Sequence, residues 1–116
     1  MKVVQINAVY EYSSTGRTTK EMHEYFLSVG IESHVFCTNK NIPEKFVYKV
    51  SSKQDQRLHS LASHLFDIQG LCSKKSTKVM ISKIDAIMPD VVILRNLHSN
   101  YVNYPLVLEY LAKNDI

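Results

Sequence analysis

Glycine is scarce in this chain, with three in 116 residues, and that scarcity excludes most phosphate-cradling loops. The dinucleotide fingerprint G-x-G-x-x-G and the P-loop G-x-x-x-x-G-K-[ST] each need several small residues packed into one turn. Here Gly16 stands alone in the first loop and no Lys-Ser/Thr pair follows it. NAD binding and NTP hydrolysis lose their sequence support. Cysteine is equally sparse. Cys37 and Cys72 fit reduced thiols in a cytosolic protein better than a disulfide framework.

Long apolar runs and runs of one charge are also missing. No stretch approaches the roughly 18 apolar residues that a membrane span needs. The N-terminus offers one lysine and an apolar run broken by Gln5 and Asn7, too short and too polar for a signal peptide. The expected location is therefore cytoplasmic. The formal charge is +3, with Lys and Arg dispersed rather than in blocks of five or six, so no nucleic-acid partner is expected.

Metal-ligand spacing fails too. His23-Glu24-Tyr25-Phe26-Leu27 starts like H-E-x-x-H, but Leu27 occupies the second histidine position. His59 and His64 are five apart, not the four that stack side chains on one helix face. No metal and no cofactor are expected.

What the sequence does contain is the material of a layered α/β domain. At 45% hydrophobic and 22% charged it has the balance of a globular chain, and its length suits one domain over residues 1–116. Val3, Val4, Ile6, Ala8 and Val9 form the near-continuous apolar run of a strand buried on both faces over residues 2–9. Thr18 and Glu21 have capping-box spacing, and Met22, Tyr25, Phe26 and Val29 recur at helical intervals up to Gly30.

Residues 31–37 and 46–50 read as further strands, separated by the loop formers Asn39, Lys40, Asn41 and Pro43. Ser52 and Asp55 repeat the capping-box spacing ahead of Leu58, Leu61, Ala62, Leu65 and Phe66, which predicts a helix ending near Gly70. Residues 73–88 predict another helix. Its apolar side carries Val79, Met80, Ile81, Ile84, Ile87 and Met88, its other side Lys74, Lys75, Lys78 and Lys83, and Pro89 follows. Residues 90–94 are the most strand-like stretch. They enter a polar, aromatic loop over 95–104, and Pro105 then opens a last helix bearing Leu106, Leu108 and Leu111.

This succession predicts a Rossmann-like parallel sheet with helices on both faces. The right-handed crossover rule gives a strand order such as 3-2-1-4. The first strand and the strand at 91–94 then meet where the winding reverses, the place at which open α/β sheets bind ligands. Two loops converge there. Ser14, Thr15, Gly16 and Arg17 form the first candidate site, because a helix N-terminus favours an anion and Arg17 adds a forked donor; the alternative is a plain strand-to-helix turn. Asn96, His98, Tyr101 and Asn103 form the second, with polar and stacking groups suited to a polar ligand; the alternative is a hydrated surface loop. The lysine face of the 73–88 helix is either simply solvated or a peripheral contact with anionic lipid headgroups.

The segments Val4-Gln5-Ile6-Asn7 with Tyr10, Ser14-Thr15-Gly16-Arg17, Leu65-Phe66-Asp67, Pro89-Asp90-Val91-Val92 and Asn96-Leu97-His98 with Tyr101-Val102-Asn103-Tyr104-Pro105 carry a family resemblance. The chain resembles the N-terminal domain of a bacterial family-four glycosyltransferase of the type that builds colanic acid and similar surface polysaccharides.

The resemblance implies a GT-B architecture, two Rossmann-like domains facing across a cleft, of which this chain supplies part of the first. It implies a domain truncated before its last strands. It also implies an acceptor that is a saccharide or lipid-linked saccharide, a nucleotide-sugar donor held by the C-terminal domain, and no transfer by this chain alone. Ser14 to Arg17 then face the donor diphosphate or acceptor, Asn96, His98, Tyr101 and Asn103 line the acceptor side, and no catalytic residue is assigned. Relatives tend to carry glycines where this chain has Glu11 and Ser13, and Glu11 would repel a donor phosphate. Peripheral contact with the inner face of the plasma membrane fits such an acceptor. A non-catalytic flavodoxin-like or receiver-like signalling module is the competing reading. A receiver needs an acidic residue at a strand end, and the relevant strands end in Asn7-Ala8-Val9 and Leu94-Arg95.

Overall fold

The structure is a computed structural model describing residues 1–38, 44–50, 57–58, 61, 65, 73–97 and 101–116. In chain order its elements are β1 (Lys2–Ile6), α1 (Ser13–Ser28), β2 (Glu32–Cys37), β3 (Val47–Lys49), α2 (Lys74–Ile87), β4 (Val91–Leu94) and α3 (Tyr104–Lys113). Arg57, Leu58, Leu61 and Leu65 are also helical, and all four are exposed. The remainder of the helix expected over 52–70 lies outside the described residues, as does His98.

The four strands form one parallel sheet in the order β3-β2-β1-β4. β1 and β4 are neighbours, in register from Val3 opposite Val91 to Ile6 opposite Leu94. The expected 3-2-1-4 order and its reversal point are therefore present. The first strand is shorter than its apolar run, ending at Ile6. Beyond it the chain stays tied to its neighbours, since Asn7 N–H donates to the Phe36 carbonyl at 3.0 Å and Arg95 N–H to the Ile6 carbonyl at 3.0 Å.

Side chains alternate across a strand, and here the alternation builds two unlike layers. Val4, Ile6 and Phe36 point toward α2 and α3, where they pack with Met80, Ile84, Val107, Leu111, Tyr101 and Val102 in the main apolar core. Gln5, Asn7 and Ser33 belong to the other face, beneath Thr19 and His23 of α1, and all five are fully buried. One face is thus mainly apolar, whereas the other sets these hydrogen-bonded polar groups beside a smaller apolar cluster of Tyr10, Val35 and Cys37. Among the described residues no helix is long and apolar enough to cross a membrane.

The two layers use their helices differently. In α2 the apolar positions Met80 and Ile84 are buried while Lys74, Lys75, Lys78 and Lys83 are exposed, as the periodicity predicts. Val79, placed on the apolar side by the same pattern, is instead 52% exposed. α1 begins at Ser13, five residues before the capping box expected at Thr18. Thr18 and Thr19 lie inside the helix, and their hydroxyls donate back to the carbonyls of Ser14 and Thr15 at 2.8 Å each, the common behaviour of threonine within a helix.

Candidate functional site at the carboxyl ends of β1 and β4

Asn7 organises this end of the sheet. It is fully buried directly after β1, and its side chain makes three hydrogen bonds. Nδ2 donates to the Val9 carbonyl at 2.7 Å and to Thr19 Oγ1 at 3.1 Å. Oδ1 accepts from the Asn96 backbone N–H at 3.2 Å. One amide therefore closes the β1–α1 loop, pins α1 to the sheet and draws in the segment after β4. Thr38 closes the opposite side, where its N–H and its hydroxyl donate to the Ala8 carbonyl at 3.1 and 2.7 Å.

The turn from the loop into α1 is tight, with Glu11 at φ 74° and Ser13 at φ 54°. Glu11 N–H donates to the Gly16 carbonyl at 3.1 Å. A Cβ on Gly16 would lie 3.2 Å from Glu11 N and 3.2 Å from Val9 Cγ2, closer than an ordinary contact, so the loop would have to shift by a few tenths of an ångström to accept a side chain there. Gly16 is buried and faces its own loop, whereas Ser14, Thr15 and Arg17 are exposed on the first turns of the helix. The Ser14 to Arg17 segment is thus helical, where the sequence pattern placed it in a turn ahead of the helix.

The N-terminus of α1 is open. Tyr12 is the N-cap residue, its side chain makes no capping hydrogen bond, and no acidic residue lies in the first turn. Those N–H groups and the helix dipole favour an anionic or strongly polar ligand. Glu11 precedes them, but its carboxylate accepts from Lys20 Nζ at 2.7 Å. That hydrogen bond holds the lysine ammonium above its ordinary pKa and offsets the repulsion expected of Glu11. Tyr12 itself is 63% exposed, an aromatic ring beside the open helix end. No sequence motif marks it.

On the β4 side the residues divide. Asn96 is half-buried and enters the junction through its backbone, its N–H on Asn7 and its carbonyl accepting from Tyr101 Oη at 2.7 Å. Tyr101 is fully buried in the main core, and burial pushes its phenol well above the ordinary pKa. Asn103 is also buried. Its Oδ1 caps α3 by accepting from Leu106 N–H at 3.3 Å, and its own N–H donates to Thr77 Oγ1 at 2.9 Å. Tyr101 and Asn103 thus have their side chains turned inward, supporting the loop. Arg95, the residue after this strand, lays its guanidinium against the Met22 sulfur of α1, and its buried Nε has no hydrogen-bond partner among the described residues.

Beneath the open end runs a polar layer. Gln5 Nε2 donates to the Thr19 carbonyl at 3.3 Å, and His23 Nδ1 bonds Ser33 Oγ at 2.8 Å. Gln5 Oε1 is buried without a partner among the described residues. Burial lowers the His23 pKa, which keeps the ring neutral. Tyr10, edge-on to His23 with ring centroids 6.1 Å apart, donates to Glu44 Oε1 at 2.6 Å. Burial and this carboxylate raise the Tyr10 phenol far above its usual value. These groups form the floor of the site. Among the described residues no group of three or more His, Cys, Asp or Glu side chains could hold a metal ion.

No protein-family model, no curated protein and no solved structure matches this chain.

Proposed function

We propose that this chain is the acceptor-binding N-terminal domain of a glycosyltransferase that moves a sugar from a nucleotide-sugar to a polysaccharide or lipid-linked acceptor. The nucleotide-sugar is held by a second Rossmann-like domain across a GT-B cleft. The observation that carries this reading is the uncapped N-terminus of α1, which opens at the reversal point of a parallel sheet with Ser14, Thr15 and Arg17 exposed around it. A ligand rich in hydroxyl and phosphate oxygens meets N–H donors, hydroxyls and a guanidinium there. The exposed ring of Tyr12 offers an apolar face to the C–H side of a sugar.

The strand ends at the same point carry Asn7 and Arg95 rather than a carboxylate, which disfavours the receiver-like alternative. No general base is assigned, and bond transfer belongs to the two-domain enzyme. The test is transfer of labelled sugar from a panel of nucleotide-sugars by the complete gene product, with membrane lipid extract and oligosaccharides as acceptors. Transfer that Arg17→Ala lowers about tenfold supports the reading. Absence of transfer from every donor, with no saccharide bound by residues 1–116, contradicts it.

A further inference from the structure

The apolar stripe of α1 does not lie on the core. Met22, Tyr25, Phe26 and Val29 follow helical spacing, yet the line turned to the sheet is Gly16, Thr19 and His23. Tyr25 and Val29 are 62% and 51% exposed, and Met22 and Phe26 are half-buried. A surface helix ordinarily turns its apolar stripe to the core and its polar side to water. Here a polar line is buried and an apolar one is left on the flank. Met22 fixes which flank it is, because the Arg95 guanidinium lies against its sulfur. The stripe runs along the side of α1 nearest β4.

β4 is itself uncovered there. Gln5 lies beneath α1 and pairs in register with Ile93, so Val91, Ile93 and Arg95 belong to the α1 face of the sheet. α2 and α3 pack on the other face. Val91 is 42% exposed and Ile93 half-buried. Stripe and strand together make an apolar ledge about one helix wide, the kind of surface that marks a protein contact.

The ledge is complementary to itself. Thr15, Thr18, Met22, Tyr25 and Val29 are spaced by alternating steps of three and four, the spacing of a two-helix seam. The ledge also carries one charge of each sign. Arg95 borders the stripe on the sheet side, and at 100° per residue the exposed Glu21 borders it on the side away from the sheet. Neither forms an ion pair among the described residues. A two-fold axis lying between two α1 helices and parallel to them turns the second copy over, so that its helix rests above β4 and its sheet lies on the far side. The helices then run parallel and level. The partner's Glu21 comes to the level of Met22, where Arg95 lies, and the partner's Tyr25, one turn on, comes over Ile93. Every contact is made twice, as a two-fold interface requires. Two such helices, each resting on the other's β4, bury on the order of 1,000 Å² in all, the lower limit of a specific interface.

We propose that this chain forms a two-fold dimer through the Met22, Tyr25 and Val29 stripe, with α1 of each copy seated over β4 of the other and Arg95 paired with the partner's Glu21. The proposal stands independently of sugar transfer. It is tested by sedimentation equilibrium of the chain over a range of concentrations. The expected result is a reversible dimer with a Kd of about 10–100 µM, weak because the interface is small. Tyr25→Glu and Val29→Glu, both at exposed positions, are each expected to weaken association about tenfold. Glu21→Arg and Arg95→Glu are each expected to weaken it about fivefold, and the two together to restore it. Circular dichroism of each variant confirms that the fold is kept. Val29→Cys, which leaves Arg95 in place, is expected to form a disulfide between copies above the parent's level, since parallel helices bring the two positions 29 together. A monomer at every concentration, a dimer unchanged by Tyr25→Glu and Val29→Glu, a folded charge-swapped pair that fails to restore association, or no added cross-linking through position 29 overturns the proposal.

Discussion

The backbone N–H of Asn96 donates to the side-chain oxygen of Asn7 across 3.2 Å, although 89 positions separate them in sequence. Through this bond the loop leaving β1 and the segment leaving β4 become one structure at the reversal point of the sheet. The same Asn7 amide reaches Val9 and Thr19, so a single buried side chain sets the spacing of both loops and of the helix whose N-terminus faces outward.

Replacing that side chain leaves a buried N–H, a carbonyl and a hydroxyl short of partners. Asn7→Ala is predicted to cost about 2–4 kcal/mol of stability, since each orphaned group carries its desolvation penalty. Urea unfolding measures this directly. A loss under about 1 kcal/mol shows that water replaces the amide and that Asn7 is not the organising residue.

Gly16 gives a prediction opposite to helix propensity. A glycine-to-alanine change in a helix ordinarily gains up to about 1 kcal/mol. Here the new methyl meets the Glu11 backbone nitrogen, which the Glu11–Gly16 hydrogen bond holds in place. Gly16→Ala is predicted to destabilise by about 1–2 kcal/mol, read from the shift of the thermal midpoint. A rise in the midpoint contradicts the close approach of loop and helix.

His23 makes stability depend on pH. Burial holds its pKa below the ordinary 6.5, so the unfolded chain binds a proton more readily than the folded one. The contribution is fully present above about pH 6.5 and is lost as pH falls below it, with a slope of up to about 1.4 kcal/mol per pH unit. Unfolding free energies at pH 7.5 and pH 5.5 are predicted to differ less in His23→Gln than in the parent. An equal difference in both proteins removes His23 as the source.

Arg17 and Tyr12 are exposed and carry no part of the core. Arg17→Ala and Tyr12→Ala are each predicted to change stability by less than about 0.5 kcal/mol while weakening saccharide or sugar-phosphate binding about tenfold. Calorimetric titration separates the two effects. Unchanged affinity in both variants assigns these residues to an ordinary helix start.

Much of the fold is legible in the sequence because apolar runs and helical stripes report burial directly. Val91 to Leu94 and the Met80–Ile84 stripe lie close to where periodicity puts them. The start of α1 is not legible, because its N-terminus has no side-chain cap, whereas Thr18 to Glu21, inside the helix, has the spacing of a capping box. At the site the difficulty is that one residue type serves two ends. Asparagine and tyrosine bind ligands on open loops, yet Asn103 caps α3 and Tyr101 fills the core while its hydroxyl holds the Asn96 carbonyl. Local pattern cannot separate those roles. Nor does it mark the pairing of Asn7 with Asn96, which exists only once β1 and β4 lie side by side.

The joined loop edge is tested most directly by mapping backbone amide shifts of the isotopically labelled chain during titration with oligosaccharide acceptors and sugar phosphates. The predicted result is perturbation concentrated at residues 12–17 and 95–97, absent in Arg17→Ala and diminished in Asn7→Ala. Perturbation confined to the opposite end of the sheet, around Lys2, Glu32 and Asp90, or none with any saccharide, contradicts a binding site at the carboxyl ends of β1 and β4.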